Sequence, residues 1–121
     1  VVDSKSTVCI IDDDRSTLIA LANLVRSMGW SVRLFDSGKA FLQVLDLIDV
    51  ACLVSDIQMP EIDGLDMQDC LLELGKSVPI IFVCANPTLA IRERALANGA
   101  LEVLEKPVDA DLLFSYLNTC R

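Results

Sequence analysis

The stretch Val8-Cys9-Ile10-Ile11 runs straight into Asp12-Asp13-Asp14. Four apolar residues without alternation, bounded by Thr7 and Asp12, read as a strand buried on both faces of a parallel sheet. Ala51-Cys52-Leu53-Val54 and Ile80-Ile81-Phe82-Val83 repeat the pattern. Ser31-Val32-Arg33-Leu34 and Leu101-Glu102-Val103 alternate instead, which predicts half-exposed strands at the sheet edges. Helical spacing fills the gaps. Leu18, Leu21, Ala22, Val25 and Met28 stripe a first helix stopped by Gly29. Ala40, Phe41, Val44, Leu45 and Ile48 stripe a second, with Ser37 as N-cap. Leu65 to Leu74 is a third and Thr88 to Asn98 a fourth, ended by Gly75 and Gly99. Leu112, Leu113, Tyr116, Leu117 and Cys120 stripe a fifth, with Asp109 near its start. The expectation is an α/β fold: a five-stranded parallel sheet in the order 2-1-3-4-5, doubly wound with five helices.

At 121 residues the chain is read as one domain, 1–121. It is 53% hydrophobic and 23% charged, a globular composition. The longest uncharged run, Ser77 to Ile91, is broken by Pro79, Asn86 and Pro87, so no spanning helix or membrane partner is expected. Val1-Val2-Asp3 shows no export signal. The chain does not begin with methionine, which suggests a fragment of a longer protein. A net charge of −8 disfavours direct nucleic-acid binding and suits a cation or a basic partner surface. There is no histidine, and the five cysteines are never closer than fourteen positions. Ordinary zinc sites and Ser-His or Cys-His catalysis are therefore excluded. Reduced, buried thiols in a cytoplasmic protein are the plain expectation.

In the order 2-1-3-4-5, strands one and three are neighbours, and ligands bind at the C-terminal strand edge. Asp12, Asp13 and Asp14 follow strand one, Asp56 follows strand three, Cys84 ends strand four, and Lys106 follows strand five. Asp after a strand is often a turn or cap residue, and Asp14 is assigned that role. Lys106 alone would read as a solvated lysine. It directly precedes Pro107, a bond at which a cis peptide is accessible. Taken together, carboxylates from two strands with a lysine opposite need a cation or a shared proton. Oxygen donors without His or Cys select a hard cation, magnesium first.

The stretch Asp56-Ile57-Gln58-Met59-Pro60-Glu61-Ile62-Asp63-Gly64 resembles the phosphoacceptor loop of response-regulator receiver domains. Ile11-Asp12-Asp13-Asp14 is similar to their acidic pair, and Glu105-Lys106-Pro107 to their lysine-proline motif. The resemblance covers nearly the whole chain, and the three motifs keep the family's order and spacing. It implies that Asp56 is the phosphorylated carboxylate, receiving its group from a sensor-kinase phosphohistidine. It implies Mg2+ held by Asp13, Asp56 and the backbone carbonyl of Gln58, with Asp12 acting through water. Lys106 would bind a phosphoryl oxygen. The domain would catalyse its own phosphorylation and dephosphorylation without being an enzyme on a separate substrate. The partners implied are a cognate sensor histidine kinase and an output domain or downstream protein. Many relatives continue into a helix-turn-helix DNA-binding domain.

Two positions depart from the family. Cys84 stands where Ser or Thr is usual, 22 positions before Lys106, and a thiol is a weak donor. Val103 stands where Tyr or Phe is frequent, and valine has no ring to swing. For Cys84 a redox sensor is the sharper idea, and a small thiol filling a threonine's space is preferred. The remaining cysteines, and Trp30, read as packing residues. Gln58 and Asn86 flank the site and are expected to tune hydrolysis. Leu89, Ile91 and Leu96, if exposed, would join strand five and helix five in a homodimer or partner face. Two alternatives stand beside the phosphoacceptor. One is a degenerate receiver acting as a phosphorylation-independent interaction module, supported by Cys84 and Val103. The other is an aspartyl phosphatase, disfavoured because Gln58 replaces the acid/base Asp such enzymes carry. An FMN site is disfavoured because Asp12, Asp13 and Asp14 would repel its phosphate.

Overall fold

The computed structural model describes residues 7–121. The reading of Val1-Val2-Asp3 as lacking an export signal falls outside them. Five parallel strands, β1 (Thr7–Ile11), β2 (Ser31–Phe35), β3 (Cys52–Asp56), β4 (Ile80–Cys84) and β5 (Glu102–Glu105), form one sheet in the order β2-β1-β3-β4-β5. Five helices connect or follow them: α1 (Arg15–Ser27), α2 (Gly38–Val44), α3 (Gly64–Glu73), α4 (Leu89–Ala97) and α5 (Ala110–Asn118). This is the expected topology. The two alternating segments are the edge strands, and the three continuous runs are interior. No described helix is long and apolar enough to cross a membrane.

The period of two along each strand sorts the core into two layers. Val8, Ile10, Cys52, Val54, Ile81, Val83 and Leu104 face α1 and α5, meeting Leu18, Leu21, Val25, Leu113 and Leu117. Cys9, Ile11, Leu53, Phe82, Cys84 and Val103 face the other side, meeting Phe41, Leu65, Met67, Leu71 and Ala95. Trp30 is buried in the first layer, as expected of a packing residue.

Several local expectations change. The second helix stops at Val44, and Leu45–Leu47 tightens into a 3-10 turn, so Ile48 lies beyond it on extended backbone. Cys120 lies past the end of α5, and Leu112 is exposed. Only Leu113 and Leu117 of that stripe are fully buried; α5 rests on the sheet along a narrower strip than a full amphipathic face. Leu34 is exposed on the outer strand β2. Cys70 and Cys120 are half-buried, whereas Cys9, Cys52 and Cys84 are fully buried core residues.

Candidate functional site

Parallel strands end at a common edge, so Asp12, Asp56 and Lys106 meet there although 94 positions separate the first from the last. Asp12 follows β1, and its N–H donates to Phe35 O at 3.2 Å. Its side chain is fully buried. One carboxylate oxygen, Oδ1, accepts from Asp14 N–H at 2.9 Å, and the other, Oδ2, faces Lys106 Nζ at 3.2 Å. Asp56 closes β3. Its Oδ1 accepts from Ile57 N–H at 2.8 Å, and its Oδ2 lies 3.3 Å from the same ammonium. Lys106 therefore bridges two carboxylates, and its own N–H donates to Cys84 O at 2.9 Å. The Lys106–Pro107 bond is cis. Asp14 caps α1, accepting from Ser16 and Thr17 N–H at 2.9 and 3.2 Å.

The loop after Asp56 is fixed by contacts that the sequence reading did not single out. Gly64 sits so close beneath Asp56 that a Cβ there would fall 2.6 Å from Asp56 O and 3.0 Å from Phe82 Cε1. Its N–H donates to Ile57 O at 2.8 Å, while Asp63 caps α3 through Asp66 N–H at 2.8 Å. The available signal was a glycine in the first turn of a helix, where it costs stability relative to alanine. Glu61 turns the loop with φ 67°, a left-handed conformation that disfavours side chains. Ser55 is buried behind the site, its hydroxyl donating to Asp56 O at 2.9 Å.

Burial first, and the neighbouring Asp12 charge second, push the Asp56 carboxyl above its usual value, and Lys106 opposes both. Burial pulls the Lys106 ammonium down, but Asp56 and Asp12 outweigh it and the net shift is upward. The folded chain thus holds the Asp56 proton to higher pH than the unfolded chain. Without a cation, this group's contribution to stability falls as pH rises from the ordinary carboxylate range through the folded-state value.

A cation would reverse that cost, and the donors fit one. Asp12, Asp13 and Asp56 each offer a carboxylate oxygen, and the three lie within 4.8 Å of one another. All are hard oxygen donors, and exposed Asp13 opens the cluster to solvent. Gln58 lies in the exposed loop two residues past Asp56. Cys84 ends β4 fully buried; its sulfur is outside the acidic cluster and belongs to the layer holding Val103 and Ala95. Asn86 is exposed on the following loop.

Fold and site together define a doubly wound α/β domain with an acidic, lysine-bridged crevice at its topological switch point. The chain belongs to the response regulator receiver domain family, whose model matches residues 8–118. The response regulator protein TmoT of Ectopseudomonas mendocina is 38% identical over 97% of this chain and 53% of its own length. The transcriptional regulatory protein FixJ of Bradyrhizobium diazoefficiens is 31% identical over 96% and 57%. The chain spans about half the length of the curated relatives it matches. Among solved structures, FixJ-N superposes with a TM-score of 0.87 at 25% identity, covering 94% of this chain and 91% of that one. StyR gives 0.82 at 33% identity, covering 93% and 57%.

Proposed function

We propose that this receiver takes a phosphoryl group onto Asp56 from a phosphohistidine of a sensor kinase and so switches an output domain or partner. The observation that carries the reading is the lysine bridge: Lys106 Nζ stands 3.2 and 3.3 Å from two carboxylates buried at the switch point. The Asp56 carboxylate attacks phosphorus; an O–P bond forms as the N–P bond of the donor breaks. Ile57 N–H and Lys106 hold the carboxylate from two sides and fix its plane for attack. Lys106 then neutralises charge on the transferred group as a point cation. Asp12, Asp13, Asp56 and the Gln58 carbonyl would hold Mg2+, which when bound supplies charge neutralisation for phosphoryl transfer. Water attack on phosphorus breaks the acyl O–P bond, releasing inorganic phosphate and the free Asp56 carboxylate, and the exposed loop residues Gln58 and Asn86 would tune its rate.

Transmission differs from the family pattern at two residues. Cys84 offers a thiol in place of a hydroxyl, forgoing about 1 kcal/mol of hydrogen bonding to a phosphoryl oxygen. Val103 is buried and has no ring to move. The switch must therefore work by other means, and the bond from Arg92 Nη1 on α4 to Val103 O on β5, at 2.7 Å, is the route we infer for the signal. The face that would receive it carries exposed Leu89 and Leu96 on α4, and Leu112 and Phe114 on α5, suited to a second copy or an effector. The output would be a fused output domain or a separate downstream protein, and transcriptional control is the expected kind. A cytoplasmic location follows from the kinase partner.

The test is intact mass after incubation with magnesium and acetyl phosphate. One added phosphoryl group, lost in Asp56→Asn and without magnesium, is expected. No gain despite magnesium binding would replace this reading with an interaction module that works without phosphorylation.

A further inference from the structure

At the opposite edge of the sheet from the acidic crevice, α3 and α4 both end near the start of β4. A cavity of about 230 Å³ lies there, walled by Gln68 and Leu71 of α3, by Ser77 and Ile80, and by Asn98. Gln68 is buried, only 2% exposed. Its Nε2 donates to Ala95 O on α4 at 3.0 Å. That bond fixes the amide's orientation, because turning it over would set two oxygens against each other. The remaining atom, Oε1, is therefore directed away from Ala95 O. Among the described residues it is the one buried side-chain polar atom that no protein group bonds. A buried acceptor without a donor carries the full cost of its desolvation, and a donor reaching it through the cavity would remove that cost.

We infer that this cavity binds a small organic cation with flat N–H donors, an amidinium or guanidinium on an apolar body, one N–H bonding Gln68 Oε1. The surroundings favour positive charge. Both α3 and α4 bring their C-terminal ends to the cavity, where helix dipoles are negative. Asn98 sends its Nδ2 to Asp69 Oδ1 at 3.2 Å, so that donor is already used. Lys76 also reaches the wall, and its ammonium is paired with Asp46 at 2.7 Å. Leu71, Val78 and Ile80 supply apolar surface for the body of the ligand.

Binding there acts on α4. A donor on Oε1 polarises the Gln68 amide, and the Nε2–H bond to Ala95 O strengthens with it. Ala95 is the buried residue of α4, so this bond lies where the helix meets the core. The other polar ties of α4, from Arg92 and Arg94, are at least partly exposed and exchange more readily with water. An occupied cavity therefore fastens the helix that is otherwise easiest to loosen. Neither Asp56 nor Lys106 takes part, so the site is independent of phosphoryl transfer.

The test titrates the isotope-labelled 121-residue chain with benzamidine, without magnesium or a phosphodonor, and follows NMR shifts. The Gln68 side-chain amide and the backbone amides of Leu72, Ser77 and Asn98 should move together and saturate, with a Kd on the order of millimolar. Benzamide, a neutral molecule of the same shape, should bind about fivefold more weakly. Benzoate, which offers only acceptors, should not bind. Amide exchange should slow in α4 and stay unchanged in α1. Gln68→Met removes the acceptor yet leaves Ala95 O bonded to Ala100 N–H at 3.0 Å, so the fold should persist and the saturable shifts should vanish. No saturable shift, shifts centred on the acidic crevice, equal binding of benzoate, or an unchanged response in Gln68→Met would each overturn the proposal. So would a long-lived water on the Gln68 amide that benzamidine does not displace.

Discussion

Helices α1 and α4 pack on opposite faces of one sheet and are held by different forces. The first buries Leu18, Leu21, Ala22 and Val25 in a continuous apolar layer. The second buries only Ala95, and leaves Leu89 72% exposed and Leu96 44% exposed. Its attachment is polar. Arg92 Nη1 donates to Val103 O at 2.7 Å, Gln68 Nε2 to Ala95 O at 3.0 Å, and Arg94 meets Asp69 at 2.7 Å. Burial is non-directional and fixes α1 in one place. Directed hydrogen bonds can exchange partners with water at little net cost, so α4 belongs to the low-stability end of the molecule.

The largest expected effect is on the apolar side. Leu21→Ala should cost about 3 kcal/mol in denaturant unfolding, through lost transfer energy and the cavity left beneath α1. Arg92→Met keeps the aliphatic stem but removes the bond to Val103 O. It should cost about 1 kcal/mol, seen as faster amide exchange confined to α4 and β5. Equal costs for these two variants would break the contrast. The smallest effect sharpens it: Leu89→Ser should change stability by no more than about 0.5 kcal/mol, because that side chain contributes nothing to the core. A loss like that of Leu21→Ala would mean that α4 is held by burial after all.

How far each region could be read from sequence follows the same division. The α1 stripe was legible because a helix held by burial must show its period. Strands β1, β3 and β4 were legible for a like reason, since a strand covered on both faces is apolar along most of its length; in β3 only Ser55 and Asp56, at the end that forms the site, interrupt the run. For α4, Leu89, Ile91 and Leu96 resemble core residues alike, yet only Ile91 packs against the buried layer, and spacing gives no sign that polar links to α3 and β5 do much of the docking. The acidic residues and Lys106 were legible as a group because the strand order brings strand ends together. Their pairing was not: that one ammonium bridges Asp12 and Asp56 depends on distances across 94 positions of chain. Gly64 was visible only within a motif, and its close approach to Asp56 O is a property of backbone placement.

The linear chain alone therefore specified the alternation of strands and helices, the interior and edge strands, and the set of chemical groups at one end of the sheet. These follow from periodicity and from the side-chain inventory, which are local. Folding supplied the rest. It placed Cys84 in an apolar layer, packed Cys52 and Cys120 onto one layer across 67 intervening residues, and left the leucines of α4 facing solvent. Each of these depends on which distant surfaces meet, and close packing, not local preference, settles that.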